Sequence, residues 1–169
     1  LGDVYKRQVL EYSAMAQFNT KEEFMEGNLF DFIEEYAMNI LNRSDRLKVQ
    51  VVRSDTEGIE MKFVPQNIAI ILDNVVSNST KYNANELRVL LGKDEKQYTI
   101  DFIDDGDGVS SDIADLNELF EFGKGYTLTG TGVGLYHIKD IVEKDLQGTV
   151  TIESEPQKGF ALHVRFGKV

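Results

Sequence analysis

The chain has 169 residues, 41% of them hydrophobic, so it is long enough for one domain with a real core plus the remnant of a second. Its net charge of −11 argues against nucleic acid or an anionic membrane surface as the main partner, so any phosphate it binds must be held locally. With no cysteine and two separated histidines there is no disulfide framework and no zinc site, which is compatible with a reducing cytoplasm; no run approaches the roughly 20 apolar residues of a membrane span, and the N-terminus lacks a secretory pattern.

In chain order, residues 1–8 include "DVYKRQ", which resembles the translated end of a transposon adapter and is set aside as non-native sequence; the natural gene is then expected to continue upstream. Residues 9–27 carry "VLEYSAMAQF", apolar at helical spacing, read as the end of a helix followed by a linker. A helix is predicted from about Leu29 to Leu41 with Asn28 as N-cap, presenting Leu29, Phe32, Ile33, Tyr36, Ala37, Ile40 and Leu41 on one face. "RLKVQVV" and "GIEMKFV" read as two strands paired across "RSDTEG". Pro65 then suits the first turn of a helix running through "NIAIILDNVVSNSTKYN".

"ELRVLLG" and "QYTIDFID" read as strands joined by "KDEK". After "DDGDGV", the stretch "SDIADLNELFEFG" reads as a short helix and "KGYTLTGTG" as a loop. A helix from Val133 to about Leu146 precedes a closing hairpin, "GTVTIESE" and "FALHVRFG", around "PQKG". Strands with helices collected on one side make a two-layer α/β sandwich with a mixed sheet of about five strands, not a βαβ repeat.

Three constellations carry chemistry. Asn74 and Asn78 are one turn apart and Lys81 is one turn further, so the three share a helix face opposite Ile68, Ile71, Leu72, Val75, Val76 and Ser79. Amide oxygens suit a hard cation such as Mg²⁺, which shares phosphate oxygens, and Lys81 suits the phosphates; a solvent-facing polar stripe is the alternative. In "IDDGDGV", Asp104 stands at a strand end before Gly106 and Gly108, where it can accept from an exocyclic amine such as adenine's; the alternatives are an acidic turn or, more weakly because no glutamate falls at the EF-hand place, a calcium loop. In "GTGVGLYHIKDI", Gly130, Gly132 and Gly134 run into a helix whose N-terminus can meet phosphate, but no strand precedes them and no Walker A lysine pattern is present.

In this order the three resemble the ATP-binding fold, of Bergerat type, shared by sensor histidine kinases, gyrase-type topoisomerases, Hsp90 chaperones and MutL proteins. "NVVSNSTKY" looks like the N box, "DDGDG" like G1, "LFEFG" like the F box and "GTGVGL" like G2, covering residues 28–169 as the ATP-binding domain. The resemblance implies Asn78 as the Mg²⁺ ligand and Asn74 as its neighbour at the phosphate-proximal waters, with Asn74 and Lys81 the groups closest to the chemistry. It also implies Tyr82 against adenine, Asp104 on the adenine amino group, and Gly106 and Gly108 shaping that pocket. The loop from Phe122 to Thr131 would be the ATP lid, with Lys124, Gly130, Thr131, Gly132, Val133, Gly134 and Leu135 contributing to nucleotide binding. Phe120 and Phe122 are expected to pack the base of the lid.

Within this superfamily the gyrase-like and MutL-like branches carry a glutamate where this chain has Asn74, and an amide cannot act as their general base. Asp73 is rotated about 100° around the helix and should not substitute. The resemblance is therefore to the catalytic domain of a sensor histidine kinase, a phosphotransferase presenting Mg-ATP to a histidine on an upstream dimerisation domain, with residues 9–27 the end of that domain. His137 and His163 lack the acidic residue that usually follows a phosphoacceptor and are read as structural or exposed. The implied partners are ATP, the chain's own upstream domain and a response regulator, in a two-component system whose full-length protein is a homodimer; the domain is expected in the cytoplasm, with membrane anchoring of the parent left open. An ATP-driven clamp or chaperone-like ATPase and a non-catalytic nucleotide-binding module are the alternatives. Two features depart from the family: a short lid, "GKGYT", with Lys124 but no arginine, and Asp107 where proline is common.

Overall fold

The computed structural model describes residues 23–43, 45–121 and 134–169. Strand β1 (Met25–Asn28) leads directly into helix α1 (Leu29–Asn39), and a 3₁₀ turn at Leu41–Arg43 follows. Strands β2 (Lys48–Arg53) and β3 (Glu60–Phe63) precede helix α2 (Pro65–Lys81), and β4 (Glu86–Lys93) and β5 (Tyr98–Asp104) follow it. A 3₁₀ segment at Leu116–Phe120, helix α3 (Gly134–Asp145), β6 (Thr149–Ser154) and β7 (Phe160–Phe166) complete the described chain.

Five strands form one mixed sheet in the order β2-β4-β5-β7-β6, parallel only between β2 and β4. β3 does not pair with β2, as its position after a turn-like segment predicts, but lies antiparallel to β1 in a separate two-stranded ribbon. The ribbon also draws residues 25–27, read from sequence as linker, into the fold. β2 instead finds β4, and the parallel pairing requires the intervening chain to cross over; α2 is that crossover.

One face of the sheet is apolar because its strands alternate. Val49, Leu87, Val89, Leu91, Ile100, Phe102, Val150, Leu162, Val164 and Phe166 are buried and share a core with all three helices. The opposite face carries Asp101, His163 and Arg165, with Asp101 Oδ1 2.6 Å from His163 Nδ1 and accepting from Arg165 Nη1 at 2.8 Å. This is the two-layer arrangement that the pattern predicts.

The helix starts obey their local chemistry. Asn28 caps α1, its Oδ1 accepting from the Asp31 N–H at 3.1 Å while its Nδ2 donates to the Glu57 carbonyl at 2.8 Å. Pro65 occupies the first turn of α2, where its missing N–H costs nothing. α1 buries Leu29, Phe32, Ile33, Tyr36 and Ala37 as its spacing predicts, and also Phe30, which meets the edge of Tyr98 at 6.1 Å. α2 and α3 pack side by side and are tied by Asn67 Nδ2 donating to Asp145 Oδ2 at 2.7 Å.

Candidate functional site

The alternation of β5 sends Ile100, Phe102 and then Asp104 toward the helices, so a carboxylate occupies a core-facing position at the end of a central strand. Asp104 is 7% exposed, and a buried carboxylate needs donors. Three reach it: the Ser79 hydroxyl donates to Oδ2 at 2.8 Å, and the N–H groups of Gly106 and Phe160 donate to Oδ1 at 3.0 and 3.2 Å. These fix its orientation from α2, from the loop after β5 and from β7.

The same helix presents the amide stripe. Ile68, Ile71, Leu72, Val75 and Ser79 of α2 are buried, Asn74 and Asn78 are half-buried, and Lys81 is exposed at its end. Gly134, the first residue of α3, meets Asn74: a Cβ built on it would lie 3.2 Å from Asn74 Oδ1. Asn78, Ser79, Asp104, Leu135 and Phe160 line a common cavity of about 10 Å³, room for roughly one water. Admitting a purine there requires a lining side chain to move, and Leu135 and Phe160 are half-buried rather than locked in the core.

The glycines after β5 answer to backbone packing. A Cβ on Gly106 would stand 2.6 Å from the Tyr82 carbonyl oxygen, and one on Gly108, at φ +72°, would stand 2.2 Å from that of Glu155. They shape the pocket by letting the segment after α2 and the β6–β7 turn close on the loop. Asp107, which stands where proline is common, reinforces that closure. Its N–H donates to the Tyr82 carbonyl at 2.8 Å and its carboxylate accepts from Asn83 Nδ2 at 2.7 Å. A proline would lose the first of these. Asn83 holds φ +62°, a conformation asparagine tolerates better than most residues. Burial pushes the Tyr82 phenol up from its ordinary value. Donation from the Glu86 and Asn85 N–H groups holds the Asp105 carboxyl below the ordinary range, and this residue pins the start of β4.

Asp73 is directed elsewhere. Its Oδ1 accepts from the Tyr36 hydroxyl of α1 at 2.6 Å, and desolvation of the carboxyl raises its pKa while that hydrogen bond partly opposes the rise. An acid thus lies next to Asn74 in sequence but is engaged with α1. Phe120 is buried, with Lys139 Nζ 5.5 Å above its ring, as a packing role requires. His137 is exposed on α3. Lys124, Gly130, Thr131, Gly132 and Val133, together with Phe122, lie outside the described residues. Among the described residues no group of three or more His, Cys, Asp or Glu side chains is arranged to hold a metal ion. Asn74 and Asn78 offer amide oxygens, donors that suit a hard cation sharing oxygens with its own ligand.

Asn74, Asn78, Asp104, Gly106, Gly134 and Leu135 thus converge, with Tyr82 fastened to the same loop. The sequence did not single out the Ser79 hydroxyl, the Phe160 N–H or the Asn83–Asp107 pair. A serine at a core-facing helical position was the available signal for the first.

The family model described as "Histidine kinase-, DNA gyrase B-, and HSP90-like ATPase" matches residues 63–168. Among curated proteins, the sensor protein kinase PilS of Pseudomonas aeruginosa is 27% identical over 165 residues, covering 94% of this chain and 30% of PilS. The heme sensor protein HssS of Staphylococcus saprophyticus is 27% identical over 158 residues, covering 87% of this chain and 34% of its own. The chain spans about a third of the length of these relatives. Among solved structures, the catalytic domain of the histidine kinase ThkA superposes with a TM-score of 0.68 at 19% identity, over 86% of this chain and 96% of that one. The ATP-binding domain of PrrB from Mycobacterium tuberculosis gives 0.65 at 19% identity, over 86% and 98%. At these identities the structural likeness speaks for the fold.

Proposed function

Because the chain belongs to the histidine kinase-, DNA gyrase B- and HSP90-like ATPase family, we propose that it is the ATP-binding catalytic domain of a sensor histidine kinase. It would present Mg-ATP for transfer of the γ-phosphoryl group to a histidine on an upstream dimerisation domain. The observation that carries the reading is Asp104. It is buried and held by three donors, and it lines one cavity with Asn78 of the amide stripe and with Leu135 at the start of α3. The kinase names of the relatives support the same reading.

In this reading adenine enters beside Asp104 once Leu135 or Phe160 yields, and Tyr82 borders it. The phosphates run along Asn74 and Asn78 toward Lys81 and the N-terminus of α3, where the helix dipole favours anions. Mg²⁺, when bound, neutralises phosphate charge, with the Asn78 amide oxygen as the protein's ligand. Asn74 orients the phosphate end without taking a proton, and Asp73 is committed to Tyr36, so the site positions a phosphoryl group for an outside nucleophile rather than activating water. Lys124 and residues 130–133 would complete the phosphate side. The partners would be the upstream domain, in a homodimeric parent, and a response regulator. No helix among the described residues is long and apolar enough to cross a membrane. We assign this domain to the cytoplasm, attached to whatever anchor its parent carries.

The test restores a phosphoacceptor by adding a dimerisation domain to this chain and supplying ATP labelled on the γ-phosphate. The expected result is acid-labile label on a histidine, lost in Asn78→Ala. Steady hydrolysis without transfer would overturn the kinase reading in favour of a clamp-type ATPase. Binding with neither reaction would make the chain a nucleotide-sensing module.

A further inference from the structure

Ser79 lies among the apolar, sheet-facing residues of α2 and is 1% exposed. A buried hydroxyl is costly unless bonded, and this one donates to Asp104 Oδ2 at 2.8 Å. The Gly106 and Phe160 N–H groups both occupy the other oxygen, Oδ1. A carboxylate offers about four lone-pair positions. Three are taken, and the fourth belongs to Oδ2, the oxygen that Ser79 holds, beside the cavity that Ser79 and Asp104 both line.

Resting on the ATP reading above, we infer that Ser79 is a positioning residue for base selection: its hydroxyl aims the last acceptor position of Asp104 at the 6-amino group of a purine. The Ser79 proton is spent on Asp104, so both side chains present only acceptors to the base. A 6-amino group satisfies them and a 6-oxo group is repelled. The backbone donors on Oδ1 make the arrangement one-sided, because they dictate which oxygen faces the base. They also make it reversible. In Asp104→Asn the amide oxygen must take the Oδ1 place, facing Gly106 and Phe160. The amide nitrogen then faces Ser79, whose hydroxyl can rotate to accept from it. The second amide hydrogen points to the base, and the edge reads as a donor.

The experiment titrates ATP, purine riboside triphosphate, which lacks the 6-substituent, and inosine triphosphate, which carries a 6-oxo group, into the native chain, Ser79→Ala and Asp104→Asn. The readout is the ratio of affinities within each protein, which does not depend on the fraction folded. In the native chain ATP should bind roughly tenfold tighter than purine riboside triphosphate, the scale of one hydrogen bond to a charged group. Ser79→Ala should cut that ratio to about threefold or less, because the carboxylate loses its aim while the contacts to ribose and phosphate persist. Asp104→Asn should bind inosine triphosphate in preference to ATP. Equal weakening of ATP and purine riboside triphosphate by Ser79→Ala would reduce Ser79 to a structural residue and overturn the inference. So would an unchanged ATP preference in Asp104→Asn. A native chain that binds none of the three, or does not distinguish them, would instead refute the ATP reading beneath it.

Discussion

Replacing Gly108 with alanine separates two reasons for a glycine. If the residue served only to let backbone approach a ligand, the variant would fold normally and lose affinity alone. The structure requires more. Gly108 holds φ +72°, where a Cβ costs roughly 1–2 kcal/mol, and that Cβ would lie 2.2 Å from the Glu155 carbonyl oxygen and 2.9 Å from that of Gly159. Both contacts are backbone and cannot rotate away, so the β6–β7 turn must shift. That movement strains the bonds from the Val109 N–H to Ser154 Oγ at 3.0 Å and from Ser154 Oγ to the Gly159 carbonyl at 2.7 Å. With one such bond worth about 1 kcal/mol, the expected loss is about 3 kcal/mol, read as a lower midpoint of urea unfolding at unchanged slope. Gly27→Ala is the control: its nearest neighbour would be the Met25 side-chain end at 3.5 Å, and its stability should be unchanged or slightly raised. A Gly108→Ala chain that unfolds at the native urea concentration would refute the packing argument.

Tyr36→Phe should cost about 1 kcal/mol near neutral pH, a charged-acceptor hydrogen bond discounted because Asp73 is exposed enough to rehydrate. Asp73 is raised from its ordinary value of 3.8, mainly by desolvation, so the folded state binds its proton more tightly than the unfolded one and its contribution to stability falls as pH rises through that window. Losing Tyr36 should raise it further, and the gap between variant and native chain should narrow as pH falls toward 4; a pH-independent gap in thermal unfolding would contradict the pairing. Asn28→Ala should lower stability by about 1–2 kcal/mol through loss of the α1 cap and of the bond to the Glu57 carbonyl, while Asn28→Asp, which keeps the capping acceptor, should fall between. Equal stability of all three would show that the cap contributes nothing.

What could be read from the sequence was local. Asn28 and Pro65 mark helix starts because capping and first-turn chemistry involve neighbours a few residues apart. The amide stripe was legible because a helix converts spacing into a face, and Asp104 because glycines follow a strand. The hairpins β4–β5 and β6–β7 were legible because a short turn joins each pair, but the partner of β3 was not: "EMKF" alternates equally well for any partner, and its real one, "MEGN", is short and polar. Ser79 looked like a small core residue because its partner lies 25 positions away, and a hydroxyl declares its donor role only when a buried acceptor is brought to it. Asp107 showed only as a departure from the family pattern for the same reason, until Asn83 was found beside it.

The most direct test of the central claim is to follow the backbone amide resonances of this chain by NMR while ATP and Mg²⁺ are added. Saturable shifts should be largest at Asn78, Ser79, Asp104, Gly106, Leu135 and Phe160, where a base must open the small cavity beside Asp104. An absence of saturable shifts, or shifts confined to Asp101, His163 and Arg165 on the opposite sheet face, would contradict it.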